Sequence, residues 1–172
     1  MSEIPEKIKG FVETILKKIS TDTGLRAALT RADNPNTEPE AWPFLARFCD
    51  LERENERRAY GLVAAVIART RTEKNGNQTL GIALRQCKVD LTQDDDSIER
   101  KLRRILACDS TAELIPVLRP LLRFITGKDG VQLDFAQLLQ DILYFGDKTK
   151  VRWAAQYFRN AKKEEETCSS AE

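Results

Sequence analysis

The sequence of 172 residues contains no histidine. That absence removes Ser–His–Asp and Cys–His arrangements, and with them most routes to catalysis at neutral pH. It also excludes a thiolate–imidazole zinc site. The four cysteines, Cys49, Cys87, Cys108 and Cys168, are far apart and form no CxxC pair. They read as three buried thiols and one tail thiol. No GxxxxGK[ST] loop or GxGxxG turn is present to cradle a nucleotide. No apolar run approaches the ~18 residues of a membrane span. Met1 to Gly10 lacks an apolar signal core, so a cytoplasmic location is expected. No strand alternation persists, and there is no internal repeat. The chain reads as a non-enzyme without cofactor or metal.

What is present is helical periodicity. Hydrophobic residues make up 41% and charged residues 32% of the chain, the balance of a globular protein with a solvated surface. Helices are expected over Ile4–Ser20, Gly24–Ala32, Glu38–Asp50, Glu52–Thr72 and Leu80–Cys87. Further helices follow: one opening at Ser97, one over Ala112–Thr126, one from Asp134 to Phe145, and one from Asp147 to about Lys163, with Glu164–Glu172 as a frayed tail. In the first helix, Ile8, Phe11, Val12, Ile15 and Ile19 share one side. Asp96 and Glu99 form a capping box around Ser97. Pro116 and Pro120 predict a kink, or two short pieces, in Ala112–Thr126. Trp153 and Tyr157 share one side of the last helix, and Val151, Ala155 and Phe158 another. That helix is expected to be buried between lobes or against a neighbouring subunit. The fold class is all-α, a bundle of two small lobes: residues 1–88, then 97–163, followed by a flexible tail over 164–172. The acidic connector Lys88–Asp96 is the boundary.

The net charge is only +1, so binding of an acidic polymer requires uneven charge. From Ile98 to Lys128 there are seven basic residues against three acidic. Arg100, Lys101, Arg103 and Arg104 fall opposite Ile98, Leu102, Ile105 and Leu106. Arg119 and Arg123 stack four apart, opposite Leu114, Leu118, Leu121 and Ile125, and are expected to be solvated. Two basic faces in succession suit phosphate, because the arginine fork donates bidentately to phosphate oxygens. No interleaved aromatics suggest base stacking, so backbone binding is expected. The run Asp94–Asp96 reads as helix capping rather than a metal site. Glu52, Glu54 and Glu56, interleaved with Arg53, Arg57 and Arg58, read as a solvated helix face.

Several stretches, taken in order, resemble the small subunit of the type I-E CRISPR surveillance complex Cascade, the CasB family. They are LTRADNP (Leu29–Pro35), ENERR (Glu54–Arg58) with TLGIAL (Thr79–Leu84), SIERKLRRILACDSTAEL (Ser97–Leu114) running into LRPLLRFI (Leu118–Ile125), and LDFAQLLQDILYFGD (Leu133–Asp147) with VRWAAQYF (Val151–Phe158). The resemblance implies a non-catalytic scaffold in which copies stack beside the backbone and large subunits of the complex. It implies contact with guide RNA–target DNA and with the displaced single strand, and no membrane. It also implies roles for individual residues. Arg31, Arg57, Arg100, Lys101 and Arg119 match basic positions of the family. Ala107 stands where some relatives carry arginine, and Arg103 and Arg104 lie one turn earlier. The competing reading is a helical adaptor that contacts only protein.

Overall fold

The computed structural model describes residues 3–89 and 95–169, the side chains among them for 3–88 and 97–159. The described residues form nine α-helices and no strand. They are α1 (Glu6–Lys18), α2 (Thr23–Thr30), a 3-10 turn (Glu38–Ala41) leading into α3 (Trp42–Leu45), α4 (Glu54–Thr70), α5 (Leu80–Val89), α6 (Asp95–Leu106), α7 (Thr111–Thr126), α8 (Phe135–Leu143) and α9 (Asp147–Ser169). The chain is all-α, as its periodicity predicts. The one extended feature among these residues is an isolated parallel bridge between Gln78 and Leu133.

The core is organised around α4. Every residue from Ala59 to Ala68 is buried, so this helix is apolar all round rather than striped, the pattern of a helix enclosed by others. It packs against α1, α2, α7 and α8. A Cβ on Gly61 would lie 2.7 Å from the Ala32 carbonyl oxygen. Only glycine allows the 31–37 turn to approach the helix this closely. A single hydrophobic cluster runs from Ile8 to Tyr157. It is continuous across the expected division between 1–88 and 97–163.

Some boundaries differ from the sequence expectation. The 38–50 helix is a 3-10 turn and one short helix, because Pro39 and Pro43 each remove an amide donor. Of the kink or two short pieces expected from Pro116 and Pro120, the split does not occur: α7 is one helix from Thr111 to Thr126. Pro116 and Pro120 lie four apart on its exposed side, where water satisfies the carbonyls they leave unbonded. Ser110 caps this helix by accepting from the Glu113 N–H, and Glu113 accepts in turn from the Asp109 N–H at 2.9 Å. Asp134 caps α8 through the Gln137 N–H at 3.0 Å, as expected. The last helix runs past Lys163 to Ser169, through a Lys- and Glu-rich stretch of good helix formers. The lobe boundary expected at Lys88–Asp96 falls largely on residues 90–94, and it and the side-chain cap expected of Asp96 lie outside what the structure describes.

Cys49, Cys87 and Cys108 are buried. Burial, reinforced by the Glu56 carboxylate, pushes the Cys49 thiol up to about 11. The thiolate is the nucleophile, so Cys49 is expected to resist iodoacetamide in the native protein near about pH 8 and to react once the chain is denatured. Peptide mass mapping reads this directly. Native labelling would show that the corner between α3 and α4 opens.

Candidate nucleic-acid interface

Helix α6 presents the simplest basic face. Ile98, Leu102 and Ile105 are buried, while Arg100, Arg103 and Arg104 are exposed. Arg103 donates from Nε to Glu99 one turn earlier, at 3.0 Å. The Arg104 side chain has no hydrogen bond or ion pair among the described residues. Lys101 is half-buried, with Nζ 3.5 Å from Ser97 Oγ and 5.1 Å from the centre of the Phe124 ring. Lys128 sits 4.9 Å from the same ring. Lys101 of α6 and Lys128, just past the end of α7, therefore meet at Phe124.

The α7 arginines are not the solvated pair expected from their spacing. Asp33, whose side chain is 2% exposed, lies between them and α4. Arg69 donates from Nη2 to Asp33 Oδ1 at 2.6 Å and to the Thr30 carbonyl at 2.8 Å. Arg119 Nε donates to Asp33 Oδ2 at 3.2 Å, and Arg123 Nη2 reaches the same oxygen at 3.5 Å. Three guanidinium groups from two helices thus converge on one buried carboxylate. Ala32 docks against Gly61 and so aims the turn inward.

Arg57 and Arg31 also have carboxylate partners, one buried and one on the surface. Arg57 donates from Nε to Glu38 at 2.6 Å and from Nη1 to the Leu51 carbonyl at 2.6 Å. Its guanidinium lies 5.6 Å from the centre of the Trp42 ring. Glu38 is 6% exposed and Arg57 19%, so this pair belongs to the interior and not to the solvated face expected for 52–58. Arg31 is exposed and pairs with Glu40. The eight basic residues therefore fall into three groups: Arg100, Lys101, Arg103 and Arg104 on α6, Arg119 and Arg123 at Asp33, and Arg31 and Arg57 around the 3-10 turn. Among the described residues no cluster of Cys, Asp or Glu is placed to hold a metal ion, and no helix is long and apolar enough to cross a membrane.

The model of the family described as CRISPR-associated protein Cse2 matches residues 25–158. The chain belongs to the Cse2 family. A chain of a CRISPR RNA-guided surveillance complex has the same fold, with TM-score 0.79 at 22% identity over 96% of this chain and 99% of that one. CasB from M. ruber is similar at 28% identity and TM-score 0.74, over 96% of this chain and 99% of its own. A Cse2-family protein from Thermus thermophilus is similar at 29% identity and TM-score 0.68, covering 88% and 97%. A search of curated proteins finds no match. The Cse2 match takes in the 31–37 turn, α4, α6 and α7, and hence every basic group described above. Sequence reading missed Asp33 and Arg69. Asp33 stands just past the expected Gly24–Ala32 helix, and its partners lie 36, 86 and 90 residues away, beyond any local pattern.

Proposed function

We propose that this protein is the small, non-catalytic subunit of a CRISPR RNA-guided surveillance complex, where it binds the nucleic-acid backbone and stabilises the displaced DNA strand. The observation that carries this reading is the Cse2-family match over residues 25–158. The exposed arginines of α6, set opposite its buried face, support the nucleic-acid contact. Its partners are the backbone and large subunits, a second copy of itself, guide RNA–target DNA and the displaced strand. The mechanism is electrostatic. Arginine and lysine neutralise phosphates and release condensed counterions, so affinity falls as a power of salt concentration. If four residues contact phosphate, log affinity against log salt has a slope of roughly −3 on single-stranded DNA, at ~0.7 per contact.

Fluorescence anisotropy of a labelled single-stranded oligonucleotide across a salt series measures that slope. Sequence-independent, salt-steep binding is the expected result. The adaptor reading has its own supporting observation: Tyr144, Val151 and Phe158 are exposed on α9 and the turn that precedes it. An absence of binding even at low salt favours that reading and removes the nucleic-acid contact.

A further inference from the structure

A carboxylate buried at the meeting point of two expected phosphate ligands requires an explanation. Arg69 saturates Asp33 Oδ1 and also holds the Thr30 carbonyl, so it is committed to the fold. Arg119 and Arg123 share Oδ2 and are only partly committed. Arg119 uses Nε alone, and Arg123 a single Nη at 3.5 Å. The remaining N–H donors of both forks carry no hydrogen bond among the described residues. Arg123 is half exposed and Arg119 about a third exposed. A cleft of about 160 Å³ opens beside Arg119, lined by Asp33, Pro35, Glu38, Arg58 and Ile115 among others, with the Glu38 carboxylate held by Arg57. Three cations against one carboxylate leave the group net positive.

We propose that Asp33 is a positioning residue for phosphate. It fixes the side chains of Arg119 and Arg123 so that their unused donors form a pre-set fork for a backbone phosphate at the edge of this cleft. The inference rests on the nucleic-acid reading above. An arginine free on a helix surface loses rotamer freedom when it binds, and a buried acceptor that already holds Nε removes that loss beforehand. Holding Arg119 through Nε leaves its end-on Nη pair, the edge that donates bidentately to phosphate oxygens. Charge counting alone gives the opposite sign, since deleting an acid beside three arginines raises the local positive potential. The two accounts therefore predict opposite outcomes for the same substitution.

The test is Asp33→Asn in the full chain, with the anisotropy and salt series on a labelled single-stranded oligonucleotide. Positioning predicts roughly tenfold weaker binding at low salt, about the loss of one charge-assisted contact. It predicts a salt slope shallower by about 0.7, the same one contact. It also predicts that adding Asp33→Asn to the Arg119→Ala/Arg123→Ala double variant changes nothing further, because Asp33 acts only through those two side chains. Binding by Asp33→Asn equal to or tighter than wild type overturns the inference and leaves the nucleic-acid reading intact. No salt-dependent binding by the wild-type protein overturns both. Thermal melting followed by circular dichroism shows whether Asp33→Asn is folded at the assay temperature. If it is not, Arg119→Lys/Arg123→Lys decides the matter, since it keeps both charges and removes both planar forks. Weakened binding by that variant supports the fork, and wild-type binding overturns it.

Discussion

Trp153→Ala is expected to cost about 3–5 kcal/mol of stability, the range for removing a large aromatic from a packed core. For a domain of this size that lowers the melting temperature by roughly 6–20 °C. Trp153 is 0% exposed. Its ring lies 5.9 Å from that of Phe145, and its Nε1 donates to Asp141 Oδ2 at 2.9 Å. Asp141 is itself buried, and also accepts from Gln137 at 2.7 Å and from Arg152. Burial holds the Asp141 carboxyl above its ordinary value, against the opposing pull of Gln137, Arg152 and Trp153. Ionising it therefore costs stability as pH rises from the ordinary carboxyl value through the folded one, and the three donors limit that cost. Trp153→Phe keeps most of the ring and removes one donor. It should cost about 1.5–3 kcal/mol at neutral pH, shrinking as the pH falls and Asp141 protonates. Thermal melts of both variants across pH measure this. A pH-independent deficit in Trp153→Phe would show that the hydrogen bond to Asp141 contributes nothing.

The second large effect is at Arg57. Arg57→Ala leaves Glu38 as a buried carboxylate without its cation, a change that costs about 3–5 kcal/mol. It also strips the Leu51 carbonyl of its donor and uncovers one side of Trp42. The conservative Arg57→Lys does not restore the geometry, because one ammonium cannot reproduce an Nε and an Nη1 bond made in fixed directions. Replacing both partners by apolar residues of similar volume, as in Glu38→Leu with Arg57→Met, should recover most of the loss. Chemical denaturation of the two single variants and the double variant separates these contributions. A melting curve for Arg57→Ala that matches wild type would place Arg57 back among the surface residues available to phosphate.

Much of the fold is legible from periodicity. Ile8, Phe11, Val12, Ile15 and Ile19 are buried as their spacing predicts, and Asp134 and Asp147 stand at helix starts. The last helix is legible on one side only. Trp153 and Tyr157 are buried, while Val151, 67% exposed, and Phe158 face outward. The full enclosure of α4 was not legible, because its second buried side is alanine and glycine: Gly61, Ala64, Ala65 and Ala68. Residues so small carry little hydrophobic signal, and the run of them is the one cue that another element comes close. The site was legible as a count of basic residues and as the solvated side of α6. Which arginines have partners inside the fold was not, because Asp33 and Glu38 meet them through tertiary packing rather than local spacing.

The enclosure of α4 bears on how the chain is made. Its ten consecutive buried residues, Ala59 to Ala68, are synthesised long before α7 and α8, against which α4 packs. Arg119 and Arg123 likewise follow Asp33 by 86 and 90 residues. A nascent chain that has reached only α5 carries an apolar helix without two of its walls and a carboxylate with one of its three arginines. Such a half-finished chain exposes the surface that drives aggregation during translation. Maturation therefore waits on the emergence of Leu143, the end of α8. The arginines that complete the Asp33 cluster belong to α7, one of the two walls that close the core, so this basic surface is assembled together with the interior and not ahead of it.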